Sequence, residues 1–415
     1  MIGLNVLFSH TNYPSQFRRL VPLLASQGHD IYFIAKSKEW HAPQADSFEL
    51  IKYKSHRTSA SAWLHPYLRR FEDAVLEGQA AYRSALKLKQ RGWKPDVIVH
   101  HAGFGNGFYL SDAFPEARKI GLFEWYYNEK GSDVDFFDLQ KNYQSDPDRG
   151  PRVRTLNASL LLDFASCDAA VVPTVWQRQQ FPAHLRDHLH VIHEGVDVDH
   201  LSQLRERRPP RPSCLPCGKE VEVVTYVSRG FEEYRGFPQA MQAIAQLQRQ
   251  RPNLHALLVG SDVVAYGRAR PDGQGWQGWA QQESGLDPAR THWLGSLQMS
   301  DYHAVLAWSD VHLYLTIPFV LSWSLLEAMA AGCAVVASAT QPVQEVMANE
   351  QQGLLVDFFD VPQISSSLGR LLDDRQLNSS LGQRAQERAR CYDHKRGSQA
   401  WNQVLFADAD RGGQT

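Results

Sequence analysis

The feature that most constrains the fold is a rhythm of short apolar runs that occurs twice. In the first half IGLNVLF, DIYFIAK, PDVIVHH, KIGLFEW, DAAVVPT and HVIHEGV alternate with longer helix-like segments, and in the second half EVVTYVS, HALLVGS, THWLGS, DVHLYLT, CAVVAS and GLLVDF do the same. A strand covered on both faces has no polar side to show, so it reads as a continuous apolar run. Runs of this kind separated by helices imply parallel strands with crossover helices, the α/β class. A chain of 415 residues exceeds what one core usually organises, so two successive α/β units are expected. The stretch LSQLRERRPPRPSCLPCGKE between them is dense in proline and arginine and reads as a linker whose charges are solvated. The expected division is a first domain over 1–197, the linker over 198–219, a second domain over 220–385 and terminal helices over 386–415 that pack back toward the first domain.

A formal net charge of -2 provides no global basic field for nucleic acid, which excludes a dedicated DNA or RNA binder. No run of about 18 apolar residues occurs and Met1 leads directly into a strand-like segment, so a soluble, cytoplasmic protein is expected. The five cysteines are scattered and odd in number, and Cys214 and Cys217 form a CxxC without a second pair at metal-ligand spacing. Neither a disulfide framework nor a zinc site follows.

Chemistry concentrates in the second half. In YLTIPFVLSWSLLEAMAAGCAVVAS a strand leads through a loop to a helix read from about Trp323 to Ala331, with Gly332 as its stop. At such a helix start the N–H groups of Val320, Leu321 and Ser322 and the positive end of the dipole suit a phosphate. Glu327, little more than a turn further on, suits ribose hydroxyls. In TYVSRGFEEYRGFPQAMQAI the strand runs into Arg229, and Arg235 follows before Gly236 and a helix. Two cations there can neutralise a diphosphate, the second through a two-pronged guanidinium fork. The competing reading is a surface ion pair of either arginine with Glu232 or Glu233, and for Glu327 an ordinary polar residue at a helix edge.

These two motifs together resemble the donor-binding signature of glycosyltransferase family 4 (glycosyl transferases group 1), retaining enzymes of GT-B fold. That family carries a glutamate, a second glutamate eight positions on, then AMA, a small residue and glycine. Glu327, Ala328, Met329, Ala330 and Gly332 match the later part, and Phe319 stands at the position of the first glutamate. Arg229 matches the family's arginine, and Arg235 stands where it carries lysine. The resemblance implies two Rossmann-like domains facing across a cleft, the second holding a nucleotide-diphosphate sugar through Arg229, Arg235, Gly260, Ser296, Phe319, Val320, Leu321, Ser322 and Glu327. Gly260 and Ser296 belong to VGSD and LGSL, strand-to-loop edges of the kind where ligands collect in open α/β sheets. The glycine-rich, tryptophan-bearing insert Val263–Trp279 reads as a lid or partner surface.

The first half is expected to hold the acceptor. Its first strand ends in SHTNYPSQF, where Asn12, Tyr13 and Pro14 form a bulky turn in place of the glycine pair of many relatives. PDVIVHH ends in His100 and His101. Strand alternation turns only one of the pair toward the cleft, and His101 is the choice for catalysis and acceptor orientation, beside a structural alternative. Glu124, in GLFEWYY, is a further acceptor candidate. GFGNG at 103–107 is too short for a dinucleotide fingerprint.

The resemblance further implies retention of configuration, with Arg229, Arg235 and His101 at the reaction. It implies no cofactor beyond the nucleotide sugar and no obligatory metal, the arginines taking a cation's electrostatic role. Expected partners are the donor and an acceptor glycan, lipid-linked glycan, protein or small metabolite. Surface polysaccharide or glycoconjugate synthesis would bring peripheral contact with the inner membrane face, for which AWLHPYLRRF, from Ala62 to Phe71, is the candidate segment, beside a plain helix with outward arginines. Three alternatives stand: another GT-B enzyme such as a nucleotide-sugar epimerase, a catalytically silent nucleotide-sugar-binding partner, and a two-lobed solute-binding protein.

Overall fold

The structure is a computed structural model that describes residues 3–38, 48–55, 63–138, 146–207, 209–217 and 220–407. Residue 62 of the aromatic, basic segment and residues 208, 218–219 and 408–415 of the expected linker and tail lie outside it. The chain divides into two compact units, 1–195 with 394–415, and 196–393.

The first unit is built on seven parallel strands: β1 (Asn5–Tyr13), β2 (Asp30–Lys38), β3 (Glu49–Lys52), β4 (Val97–His101), β5 (Arg118–Leu122), β6 (Ala169–Val172) and β7 (Leu189–Val191). Their spatial order is β3-β2-β1-β4-β5-β6-β7. The second unit has six parallel strands: β8 (Glu222–Gly230), β9 (Leu254–Ser261), β10 (Thr291–Gly295), β11 (Val311–Tyr314), β12 (Ala334–Ser338) and β13 (Leu354–Val356), in the order β10-β9-β8-β11-β12-β13. The apolar runs are continuous because helices cover both faces: all five residues of β4 and of β12 are buried. In each sheet the strand order reverses next to the first strand, between β1 and β4 and between β8 and β11. Crossovers on opposite faces diverge there and leave a crevice beyond the strands' carboxyl ends, where ligands bind in open α/β sheets.

The stretch expected to be linker is partly structured. Val198–Ser202 and Leu204–Arg207 are short helices, and Val198, Leu201 and Leu204 enter the core of the second unit. Two of the arginines there are not simply solvated. Arg205 donates to the Ser309 carbonyl and the Arg211 guanidinium lies 5.3 Å from the Trp308 ring centre. An arginine stem supplies apolar surface as well as charge, which the composition of a proline-rich stretch does not reveal.

The helix His394–Leu405 belongs to the first unit. Trp401, Val404 and Leu405 join the core that contains Phe8, Phe17 and Phe33, with Trp401 edge-on to Phe17 at 6.4 Å. Replacing this buried ring, Trp401→Ala, is expected to lower the stability of the first unit by about 3 kcal/mol. Amide exchange under urea should show protection falling in β1 and β2 with β8 and β11 unchanged. Equal loss in both sheets would contradict this assignment.

Candidate functional site

The crevice of the second unit begins with a strand irregularity. The β8–β9 register shifts between Val227 and Gly230, and Ser228 Oγ donates to the Gly230 carbonyl at 2.7 Å. A bulge of this kind re-aims the side chain it carries, and Arg229 is exposed, with no ion pair among the described residues. The close packing here depends on Gly260: with φ +146, a Cβ on it would stand 2.2 Å from the Ser228 carbonyl oxygen.

Arg235 behaves differently. It is 6% exposed, yet no carboxylate is within ion-pair distance of it among the described residues. Its Nη1 donates to Thr316 Oγ1 at 2.8 Å, to the Val320 carbonyl at 3.0 Å and to Tyr314 Oη at 3.4 Å. Among the described residues the guanidinium bonds through this one nitrogen alone, which leaves its Nε–Nη2 edge for another acceptor. Gly236, with φ +60, turns the chain at once into the helix Phe237–Gln250. The competing ion-pair reading fails for both arginines. The Glu232 carboxylate instead accepts from the Tyr266 and Gly267 amides at 2.9 and 2.8 Å.

The second motif lies against the first through the Arg235–Val320 bond. β11 ends at Tyr314, earlier than the sequence suggested, and the loop that follows leads into the helix Trp323–Ala330. Ser322 is its N-cap, accepting from the Ser324 amide. The Ser322 N–H donates to Tyr314 Oη at 2.9 Å, so it is not one of the open donors expected. A tyrosine hydroxyl from β11 can reach it because the loop folds back over the strand end. Val320 and Leu321 keep their amides without partners among the described residues. Glu327 is buried, and its Oε2 accepts from Tyr302 Oη at 2.9 Å. Phe319 is buried between Tyr234 and Tyr266, edge-on to both with centroid distances of 5.5 and 5.2 Å. Ser296 is exposed and shares a 2.8 Å hydroxyl hydrogen bond with Ser261, which joins the VGSD and LGSL loops. Arg229, Arg235, Gly260, Ser296, Phe319–Ser322 and Glu327 therefore all stand on one unit, at or beside the carboxyl ends of its strands or on the helix that follows them.

The insert after Asp262 is more compact than a lid reading implies. Trp276 and Trp279 are buried at one face of the helix Trp276–Glu283. The Arg270 guanidinium covers both rings at 4.8 and 5.7 Å, and Asp262 accepts from the Gln277 amide at 3.0 Å.

In the first unit the carboxyl ends of β1 and β4 bring together residues that the sequence reading had only partly named. The His101 ring is buried, edge-on to His10 at 4.7 Å, with Nε2 3.5 Å from Glu124 Oε2 without a hydrogen bond. Gln16 Nε2 donates to Glu124 Oε1 at 2.9 Å, and Gln177 Nε2 donates to the Glu124 carbonyl at 2.6 Å. The Asn12 amide donates to His10 Nδ1 at 2.8 Å, which places the neutral ring's proton on Nε2. His10 and Gln16 were missed. Their signal was available, since both flank the end of the first strand, the strand beside which the sheet order reverses.

Tyr13 is not part of this group. It is the last residue of β1, packed edge-on to Phe33 at 4.9 Å, and burial pushes its hydroxyl up to about 12. The turn expected at Asn12 and Tyr13 starts later because the ladder runs on through both, pairing them with Ser37 and Lys38 of β2. His100 points inward, with Nε2 3.3 Å from Cys167 Sγ and Nδ1 3.7 Å from Asp163 Oδ1. Burial keeps its pKa well below the usual value, so it is held neutral.

Comparison with known proteins gives a consistent result. Residues 27–201 match the family described as glycosyl transferase family 4 group, and residues 216–388 match glycosyl transferases group 1. A phosphatidyl-myo-inositol mannosyltransferase of Mycolicibacterium smegmatis is 27% identical over 179 residues, a match spanning 42% of this chain and 42% of that relative. Among solved structures, an α,α-trehalose 6-phosphate synthase from Burkholderia multivorans superposes with TM-score 0.69 at 15% identity, covering 99% of this chain and 100% of the other. A sucrose-phosphate synthase from Thermosynechococcus elongatus gives 0.66 at 18% identity over 99% and 100%. Anabaena HepE, solved in complex with UDP and glucose, gives 0.65 at 16% over 97% and 100%.

Asp163 provides a pH test of the first unit's interior. Its carboxyl, buried and accepting from the Gly103 amide at 2.8 Å, is pushed up to about 6, chiefly by burial. A carboxyl whose pKa is raised on folding contributes stability that is lost as pH climbs from its unfolded value of 3.8 to about 6. An amide does not titrate. Asp163→Asn should therefore gain stability relative to wild type across that window and hold a constant difference above it, read from urea midpoints. A difference that does not change with pH would contradict the buried, protonatable carboxyl.

Proposed function

The chain belongs to the glycosyl transferases of group 1 (family 4), of GT-B fold, and from that premise we propose that it moves a sugar from a nucleoside-diphosphate sugar held by the second unit to an acceptor held by the first. The observation that carries the reading is Arg235. A guanidinium this deeply buried costs several kcal/mol unless an anion joins it, and no carboxylate among the described residues lies within ion-pair distance, the charge of Glu232 acting on it only from further off. Donor phosphate oxygens fit the open Nε–Nη2 edge, with the Val320 and Leu321 amides and the positive end of the helix beside them. Arg229, exposed at the neighbouring strand end, adds the second cation. Glu327 takes the ribose hydroxyls, sharing its carboxylate with Tyr302.

In the transfer, the bond between the anomeric carbon and the phosphate oxygen breaks while the acceptor oxygen bonds to the same carbon on the same face. The acceptor's proton passes to the departing diphosphate. Configuration is retained, and no protein carboxylate is consumed. The two arginines stabilise charge that grows on the leaving group, which is where preorganised cations accelerate a reaction most, and the reading needs no metal ion. His101, with Glu124, Gln16 and His10, orients the acceptor hydroxyl. Surface polysaccharide or other glycoconjugate synthesis is the pathway class, carried out in the cytoplasm and at the inner membrane face. UDP-glucose is the first donor to try, given the neighbour solved with UDP and glucose.

Phe319 favours a second reading, a chain that binds the donor without turning it over. Slow hydrolysis of the bound donor distinguishes the two, since a silent binder protects it.

Because Arg229 is exposed, Arg229→Ala should fold normally and lower kcat/KM about a hundredfold. Arg235→Lys keeps the charge without the fork and should weaken donor binding about tenfold. Unchanged donor affinity and turnover in both, measured by calorimetry and a transfer assay, would overturn the donor-site reading.

A further inference from the structure

The rings around Arg235 exceed what a phosphate site requires. Tyr234 precedes Arg235, Phe319 precedes Val320, and Tyr266 comes from the insert that follows β9. The three meet at the centroid distances given above, and the Arg235 guanidinium carbon lies 5.4 Å from the Tyr266 ring centre. Glu232 holds this arrangement through the Tyr266 and Gly267 amides, so the carboxylate between the two arginines is engaged with backbone. Tyr266 is 43% exposed and Tyr234 half-buried, so both can still meet a ligand, while Phe319 backs them at 5%.

A sugar attached to a phosphate at Arg235 has to lie within a few ångströms of this surface. Over the ring faces, away from the two tyrosine hydroxyls, its hydroxyls would find no acceptor, losing water and gaining no partner. A C–H or methyl edge loses nothing and buries apolar area against the rings. We propose that Tyr234, Tyr266 and Phe319 form an aromatic subsite for the transferred sugar and select a deoxygenated donor. The proposal rests on the donor-site reading of Arg235.

The test is thermal stabilisation of the full chain by UDP, dTDP and GDP, and by UDP-glucose, dTDP-glucose and GDP-mannose, each beside analogues lacking one sugar hydroxyl. On the preferred nucleotide, one deoxygenated analogue should bind about tenfold more tightly than its parent. Tyr266→Ala, at an exposed position, should bring that ratio near one while binding of the nucleoside diphosphate alone changes less than about twofold. Phe319→Glu should reverse the preference. A parent sugar that binds as tightly as every analogue, in a chain that still binds the nucleoside diphosphate, overturns the aromatic subsite and leaves the donor site standing. Stabilisation by none of the nucleotides or nucleotide sugars overturns both.

Discussion

The second unit's chemistry depends on one buried guanidinium that has no carboxylate at ion-pair distance among the described residues. Arg235 uses a single nitrogen to hold Thr316, Tyr314 and the Val320 carbonyl, and thereby ties the end of β8 to the loop after β11. Those two strands are hydrogen-bonded neighbours in the sheet, Val224 beside Val311 and Tyr226 beside Leu313. The contact therefore crosses the point where the strand order reverses. Charge in so dry a setting acts strongly on an arriving anion and is costly to leave alone. A ligand anion would relieve that cost, which is why a buried guanidinium with no ion-paired carboxylate among the described residues has more diagnostic value here than a count of surface arginines.

The first unit repeats the geometry with different chemistry. The ends of β1, β4 and β5 present imidazoles, an amide and a carboxylate in place of fixed cations. His10, His101, Gln16 and Glu124 can orient a hydroxyl and share a proton, but they offer no phosphate cradle. Two doubly wound units thus expose complementary sets of groups at equivalent places in their sheets. That assignment follows from the residues at each crevice and does not depend on how the units are arranged.

The sequence made the strands legible, because a parallel strand covered on both sides has to be apolar throughout. The strand ends and helix starts it suggested for Arg229, Arg235 and Glu327 are also where the structure places them. What it concealed was contact between segments distant in the chain. Ser322's amide looked open until Tyr314 folded over it, and Glu232 looked like a partner for arginine until the amides of Tyr266 and Gly267 claimed it. Tyr13 read as a loop residue because its neighbours are turn formers, yet β2 extends the ladder past it. The helices at 198–207 were hidden by the prolines that follow them. The helices at 198–207 are a local miss; the others are hydrogen bonds or packing contacts between residues that are not sequence neighbours, which composition does not encode.

The most direct test of the account is a crystal structure of the chain with a nucleoside diphosphate. The terminal phosphate should lie within hydrogen-bond distance of Arg235 Nε or Nη2 and of the Val320 or Leu321 amide, with the ribose at Glu327. A nucleotide bound elsewhere, with the open edge of Arg235 still unoccupied, would contradict the claim that this buried charge is the donor's anchor.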